Sequence, residues 1–233
     1  MSISSLSALY LYQDEHIFAL NKPAGIHSVG LRSGGGPSLS DLLLAENPKL
    51  AVASPQELDA GLVQRLDFDT SGIILGAKTR EMWEHLHTAI SKGDFIKRYI
   101  ALVEGTFSQS KTITSYIGSP YRGAKKMRSY REQPTGKVRA LLGTSEVSPY
   151  KNVFEYNMSF VEVSASPARR HQVRVHAAAL GHPLTGDSLY GSVETLPEAF
   201  QKTPRVFFLH AHTVQGLHPQ TKQPINFTAP FEF

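Results

Sequence analysis

An α+β fold is what this 233-residue sequence predicts, and three observations carry that reading. Short apolar, β-branched and aromatic runs bounded by Gly, Pro and Asn recur along the chain. Only a few segments combine helical periodicity with capping residues, and no repeat, low-complexity tract or linker separates them. Many strands with a few interspersed helices must bury their apolar faces against each other, which gives a mixed or α+β sheet architecture.

Taken in order, residues 9–11 and 17–21 read as short strands, the second stopped by Lys22-Pro23-Ala24-Gly25. Residues 30–37, with four glycines and a proline, read as a flexible loop. Ser38 or Ser40 then caps a short helix through Asp41-Leu42-Leu43-Leu44, because a serine hydroxyl accepts from an otherwise orphan amide, and Pro48 lies beyond its end. After a strand at 73–77, Thr79 caps a helix to about Ile90, with Met82, Leu86 and Ile90 as its buried stripe. Strands follow at 95–103, 111–117, 137–142 and 153–163, the last on the alternation of Phe154, Tyr156, Met158 and Phe160. Residues 170–180 read as a helix closed by Gly181, with Val173, Ala177 and Leu180 toward the core and Arg170 and Arg174 sharing another face. Strands at 206–214 and 225–227 end the chain across the turn His218-Pro219-Gln220-Thr221-Lys222.

With 41% hydrophobic and 19% charged residues the chain can bury a substantial core, so disorder is excluded as its main state. It has no cysteine, hence neither disulfides nor a cysteine-based zinc site, and this suits a reducing interior. A cytoplasmic location is expected, since the start lacks a basic leader and no run approaches the roughly 20 apolar residues that cross a bilayer. The formal charge of +4 favours a polyanion only mildly. Its distribution says more. Arg122, Lys125, Lys126, Arg128, Arg131, Lys137 and Arg139 lie between Tyr121 and Arg139 with Glu132 as the only acid, a basic loop or hairpin able to track a phosphate backbone, or simply a solvated surface.

Chemistry concentrates in Gln64-Arg65-Leu66-Asp67-Phe68-Asp69-Thr70-Ser71-Gly72, which places two carboxylates, a guanidinium and two hydroxyls directly before Ile73-Ile74-Leu75. Burying an unpaired carboxylate costs several kcal/mol, so Asp67 or Asp69 must have a partner. If the segment is extended, residues 65, 67 and 69 share a polar face opposite Leu66 and Phe68. The residues alone do not choose between Asp67 and Asp69.

The string RLDFDTSGIILGAKT resembles the signature of the RluA-type pseudouridine synthases, Arg-Leu-Asp followed two residues later by Thr-Ser-Gly. Three further blocks in the family's order support it: Asn21-Lys22-Pro23-Ala24-Gly25; Lys97-Arg98-Tyr99-Ile100-Ala101-Leu102-Val103-Glu104-Gly105; and Arg169-Arg170-His171-Gln172-Val173-Arg174-Val175-His176 with Gly181-His182-Pro183 and Gly186-Asp187. The resemblance implies the pseudouridine synthase fold, a large, mostly antiparallel mixed sheet flanked by helices and loops with a central active-site cleft. It implies an RNA partner, ribosomal or transfer RNA, and an isomerisation that needs no cofactor. It places the essential carboxylate on Asp67, kept ionised by a facing arginine at Arg174, with Val173 lining the base pocket and Tyr99 stacking on the target base and helping to remove its C5 proton. Arg65 is implied to open the helix around the flipped uridine and touch phosphate, with Lys97 and Arg98 adding phosphate contacts; Lys125, Lys126 and Arg128 are candidates for phosphate on the charge of the basic stretch alone. Asn21, Lys22, Pro23 and Gly25 read as a turn bracing the cleft floor.

Two positions depart from the family pattern: Gln64 stands where histidine is usual, and Ala168 where glycine is usual. Residues 1–233 are expected to form one catalytic domain without a preceding RNA-binding domain, active without an obligatory protein partner and monomeric. No metal is expected, because His85 and His87 fall on nearly opposite sides of a helix, His171 and His176 miss the i, i+4 spacing, and no motif gives His210 and His212 a third ligand. Two other readings stay open: a hydrolase using Asp67 and Asp69 as an acid–base pair on a glycosidic bond, and a non-catalytic RNA-binding module.

Overall fold

The computed structural model describes residues 6–30, 38–136, 138–201 and 205–231, so most of the glycine loop read at 30–37 lies outside the described residues. Among those described are ten strands and three α-helices, an α+β chain. They fall into two compact units: residues 6–95, 205 and 211–231 form the first, residues 96–201 and 206–210 the second.

In the first unit the strand order is β1 (Tyr10–Gln13), β2 (Ile17–Lys22), β3 (Ser71–Ala77), then β9 (Leu209–Leu217), whose first two residues belong to the second unit; β10 (Pro224–Thr228) pairs with β9. The β1–β2, β2–β3 and β9–β10 pairs are antiparallel. Every residue of β3 is buried, which accounts for an apolar run without polar alternation: both faces are covered. Ile17, Ala19, Ile73 and Leu75 point to one side, against Met82 and Leu86 of helix α2 (Arg80–Lys92). Their neighbours Phe18, Leu20 and Ile74 point to the other, against Leu39 and Leu43 of helix α1 (Leu39–Glu46). The period of two along a strand thus sorts one sequence run into two cores.

Both helices start where the sequence places their caps. Ser38 forms a capping box with Asp41, and the Thr79 hydroxyl accepts from the Met82 amide at 3.3 Å, while Gly93 closes α2 at φ +91°. In the β1–β2 turn the Asp14 carboxylate accepts from the His16 and Ile17 amides at 2.8 Å and from the Tyr12 hydroxyl at 2.7 Å, with His218 Nε2 at 2.9 Å. Burial alone would raise its pKa; these contacts outweigh it and lower the pKa to about 2. Gly72 sits at φ +105°, and any Cβ there would collide with the backbone of Ala211 in β9, so glycine is required for that close strand approach.

In the second unit the order is β4 (Ile96–Glu104), β8 (Met158–Ala165), β7 (Ala140–Val153), β5 (Lys111–Gly118) and β6 (Arg128–Tyr130), every neighbour antiparallel. Here the strand read at 153–163 is corrected. Residues Phe154–Tyr156 form a 3-10 turn ended by Asn157 at φ +49°, and only from Met158 does the chain become β8. Phe154 is 77% exposed whereas Phe160 is buried, so the aromatic alternation mixed a turn with a strand. The strand read from 137 is likewise displaced: β7 begins at Ala140 and continues for 14 residues through a register break at Pro149/Lys151.

Helix α3 (Gln172–Ala179) follows His171, which adopts φ +55°. Arg170 therefore precedes the helix and does not share a helical face with Arg174, and Leu180 is half-buried rather than core. All six residues from Gln172 to Ala177 are buried. The polar ones are satisfied: Gln172 Oε1 accepts from the Arg169 amide at 2.9 Å while its Nε2 donates to the Thr144 carbonyl at 2.8 Å. His176 lies between two hydroxyls, Ser115 Oγ at 2.9 Å from Nε2 and Ser145 Oγ at 2.8 Å from Nδ1.

Burial pushes the His176 pKa down to about 4. The unfolded imidazole protonates near 6.5, so the unfolded chain takes up this proton first as the pH falls. The neutral ring's contribution is full above pH 6.5 and disappears as the pH drops toward 4, removing about 2 kcal/mol between pH 7 and pH 5. His176→Gln is expected to flatten that part of the stability profile; equal pH dependence of the urea midpoints of variant and native chains would refute it.

Candidate active site

The Asp67 segment is a loop held against β3, which corrects the extended reading. Leu62 bridges Gly76 and the Val63 amide donates to the Leu75 carbonyl at 3.0 Å, but residues 64–67 are irregular and the Phe68–Asp69 turn closes with the Thr70 amide on the Asp67 carbonyl at 3.1 Å. A turn there breaks the two-residue period, so Arg65, Asp67 and Asp69 do not form one strand face. Arg65 is exposed and pairs with Asp59 at 2.7 Å, Phe68 is 42% exposed rather than packed inward, and Asp67 and Asp69 are half-buried.

Lys22 reads in the sequence as a turn residue, and the structure gives it more to do. Its side chain is fully buried, and Nζ donates to the carbonyls of Pro23 and Ile26, both at 2.9 Å, and of Phe68 at 3.4 Å. Burial lowers its pKa to about 7, opposed by the negative charges of Asp67 and Asp69, with Arg205 adding to the lowering. No spacing rule could have exposed this, because Lys22 and the two carboxylates are some 45 residues apart in the chain.

Arg65 and Asp67 belong to the first unit; Lys97, Arg98, Tyr99, Lys125, Lys126, Arg128, Val173 and Arg174 belong to the second. In β4, Tyr99 and Lys97 are buried and two apart, hence on one side of the strand, and burial lowers the Lys97 pKa to about 8. Arg98, half-buried, lies 3.9 Å from Glu162. Lys125, Lys126 and Arg128 are exposed on the segment leading into β6, as a basic hairpin would have them.

Arg174 is held in a fork. Its Nε meets Asp187 Oδ2 at 2.6 Å and its Nη2 meets Oδ1 at 2.8 Å, both side chains buried. Its guanidinium carbon lies 4.5 Å from the Phe207 ring centroid and 5.0 Å from that of Tyr190. Two parallel charge-assisted bonds and two rings fix the plane of the group as well as its charge. Asp187 is delivered by the Gly181-to-Gly186 block, which docks on the end of β4 through Glu104 N to the Pro183 carbonyl and Thr185 N to the Leu102 carbonyl, each 3.0 Å.

Tyr190, unremarked in the sequence, joins the basic hairpin to α3. Its hydroxyl accepts from the Met127 amide at 2.9 Å and meets His171 Nδ1 at 2.8 Å, while Lys126 Nζ lies 5.3 Å from its ring centroid. The structure thus brings Lys126 and Arg174 to the same tyrosine. The signal that could have found it is weak, an aromatic three residues after Asp187.

Among the described residues no three His, Cys, Asp or Glu side chains cluster as a metal site requires, and no helix is long and apolar enough to cross a membrane.

Residues 16–179, most of the chain, match the family described as RNA pseudouridylate synthase. The chain belongs to that family. The family read from the four sequence blocks is therefore the one matched, and the chain is an RNA pseudouridylate synthase in its enzyme class. It is 35% identical over 226 residues to the uncharacterized RNA pseudouridine synthase YhcT of Bacillus subtilis, covering 95% of this chain and 68% of that protein. It is 31% identical over 229 residues to ribosomal large subunit pseudouridine synthase C of Vibrio vulnificus, covering 98% and 67%. It is 34% identical over 230 residues to ribosomal large subunit pseudouridine synthase D of Xylella fastidiosa, covering 94% and 65%. The synthase spans about two thirds of the length of these relatives. Its fold is that of human RNA pseudouridylate synthase domain containing 4, with a TM-score of 0.69 at 20% identity over 97% of this chain and 90% of that one. Domain containing 1 agrees, with a TM-score of 0.68 at 24% identity over 99% and 86%.

Proposed function

We propose that this synthase isomerises a uridine of ribosomal RNA, with Asp67 as the carboxylate that engages C1′ of the extruded nucleotide. The observation that carries the assignment is the placement of Asp67 in the family signature, on a loop pinned on both sides and in the electrostatic reach of the buried Lys22 amine. The choice of ribosomal RNA rests on relatives named for the ribosomal large subunit.

In the reaction the C1′–N1 bond breaks, the uracil turns, a C1′–C5 bond forms, the C5 proton leaves and N1 gains one. Composition is unchanged, so no oxidant, reductant or group donor enters. An ionised carboxylate near C1′ stabilises or captures the positive charge on the sugar as the base departs. Tyr99 is assigned the aromatic face for the extruded base, replacing stacking worth about 1 to 3 kcal/mol. Val173 is assigned the apolar wall that keeps water from capturing the activated sugar, and Arg174 the fixed cation of the reaction. Arg65, Arg98, Lys125, Lys126 and Arg128 are assigned to phosphate, contacts that fix register without reading sequence, whereas Lys97 is buried in β4 and is left out of that set.

The test is product identity. Incubated with large-subunit ribosomal RNA, the protein is expected to convert uridine to a carbon-linked nucleoside of equal mass at a discrete position, with no free uracil. Release of uracil or an abasic site would establish the carboxylate-pair hydrolase instead. Conversion confined to transfer RNA would overturn the ribosomal assignment.

A further inference from the structure

Two hydrogen bonds converge on a single side chain, one residue away from Asp67. The Ser28 hydroxyl donates to the Leu66 carbonyl at 2.9 Å and accepts from the Leu66 amide at 3.0 Å, so both backbone polar groups of Leu66 end on one oxygen. Ser28 is buried. Its own backbone is fixed in turn: the Ser40 amide donates to the Ser28 carbonyl at 3.1 Å and the Leu39 amide to the His27 carbonyl at 2.9 Å, both from the first turn of α1.

The residue on the other side of Asp67 is held by the same segment. The Phe68 carbonyl accepts from the Gly25 amide at 2.9 Å and from Lys22 Nζ at 3.4 Å, and the Phe68 ring lies 4.8 Å from that of His27. Asp67 therefore stands between two clamped neighbours, anchored by one turn whose base is a capped helix. A hydroxyl that both donates and accepts is the smallest side chain able to satisfy a backbone amide and carbonyl together. Removing it leaves two part-buried backbone groups of Leu66 without that partner and lets the loop turn about the Phe68 hold alone.

We propose that Ser28 is a positioning residue for Asp67: through its double hydrogen bond to Leu66 it sets where the Asp67 carboxylate stands, without touching the substrate. Binding of RNA depends little on this hold, because of the side chains assigned to phosphate only Arg65 adjoins Leu66, while Arg98, Lys125, Lys126 and Arg128 lie on other segments. The chemical step does, since displacement of a reacting group by about 1 Å costs on the order of 100-fold.

The inference rests on Asp67 being the reacting carboxylate, so Asp67→Asn is measured alongside. The full chain is assayed at saturating enzyme with RNA of known target site, reading the single-turnover rate of pseudouridine formation and the Kd for RNA separately. Ser28→Ala is expected to lower the single-turnover rate by about 10 to 100-fold with the Kd within about twofold of native. Ser28→Thr, which keeps the hydroxyl, is expected to recover most of the rate. Should Ser28→Ala fail to melt cooperatively, Ser28→Cys, of similar volume with weaker hydrogen bonding, is read by the same criteria. A native rate in the folded Ala or Cys variant would overturn the proposal, as would a loss confined to Kd or a Thr variant no better than Ala. If Asp67→Asn keeps its rate, the assignment of the nucleophile fails; if Asp67→Asn is dead while Ser28→Ala is native, only the positioning role fails.

Discussion

Asp67→Asn is expected to abolish pseudouridine formation, by about 10⁴-fold or more, while leaving RNA affinity unchanged or slightly raised. The magnitude follows from the role proposed for Asp67: an amide neither attacks C1′ nor carries the negative charge that opposes a developing positive one, and loss of such a group is not compensated by the remaining ones. The direction for affinity follows from charge, because the substitution removes an anion from a surface that meets a polyanion. The fold should persist. Asp67 is half-buried, its carbonyl still accepts from the Thr70 amide, and Leu66 and Phe68 keep their own backbone holds. Lys22 loses one of the two carboxylates that favour its charged form, so it becomes neutral more readily, a change tolerable for an amine bonded to carbonyls. Retention of activity within tenfold of native would move the nucleophile away from Asp67, and Asp69→Asn would be the next variant to assay.

How far the sequence reads depends on whether a feature is local. The cap at Thr79, the stripe of Met82 and Leu86 and the stop at Gly181 are decided within a few residues, and each stands where the pattern puts it, while of Ser38 and Ser40 it is Ser38 that caps α1. The apolar runs of β2 and β3 are legible as strands, but which face carries α1 and which α2 is settled only by packing. Alternation misled at 153–163, because a 3-10 turn between two antiparallel strands happens to space its aromatics by two. It misled again at Asp67, where a turn closed by Thr70 replaces a strand. The block motifs identified the family, yet the partnerships around the candidate residues are all long-range: Lys22 in the field of Asp67 and Asp69 and Ser28 on Leu66 in the first unit, Asp187 on Arg174 and Tyr190 between α3 and the basic hairpin in the second. Each couples residues whose separation in the chain carries no periodic signal.

The second large effect concerns the Arg174–Asp187 fork, and here stability and activity should separate. Asp187→Ala removes the carboxylate beneath a buried guanidinium and is expected to destabilise the fold by about 3 to 5 kcal/mol, because the surviving charge keeps its desolvation cost. For a chain of this size that is a fall in Tm on the order of 10 °C. Arg174→Lys keeps the charge but not the fork: one ammonium cannot meet both carboxylate oxygens in the plane set by Tyr190 and Phe207, so activity should fall by about 100-fold for a smaller loss of Tm. The decisive protein is the double variant Arg174→Met with Asp187→Leu. Replacing a buried pair by apolar groups of similar volume is often neutral or stabilising, so its Tm should return to within a few degrees of native. If the pair only holds α3 to the Gly186-Asp187 turn, activity returns with the Tm. If Arg174 is the fixed cation of the reaction, the double variant melts like the native chain and converts no uridine, and that dissociation of the two readouts is the expected result.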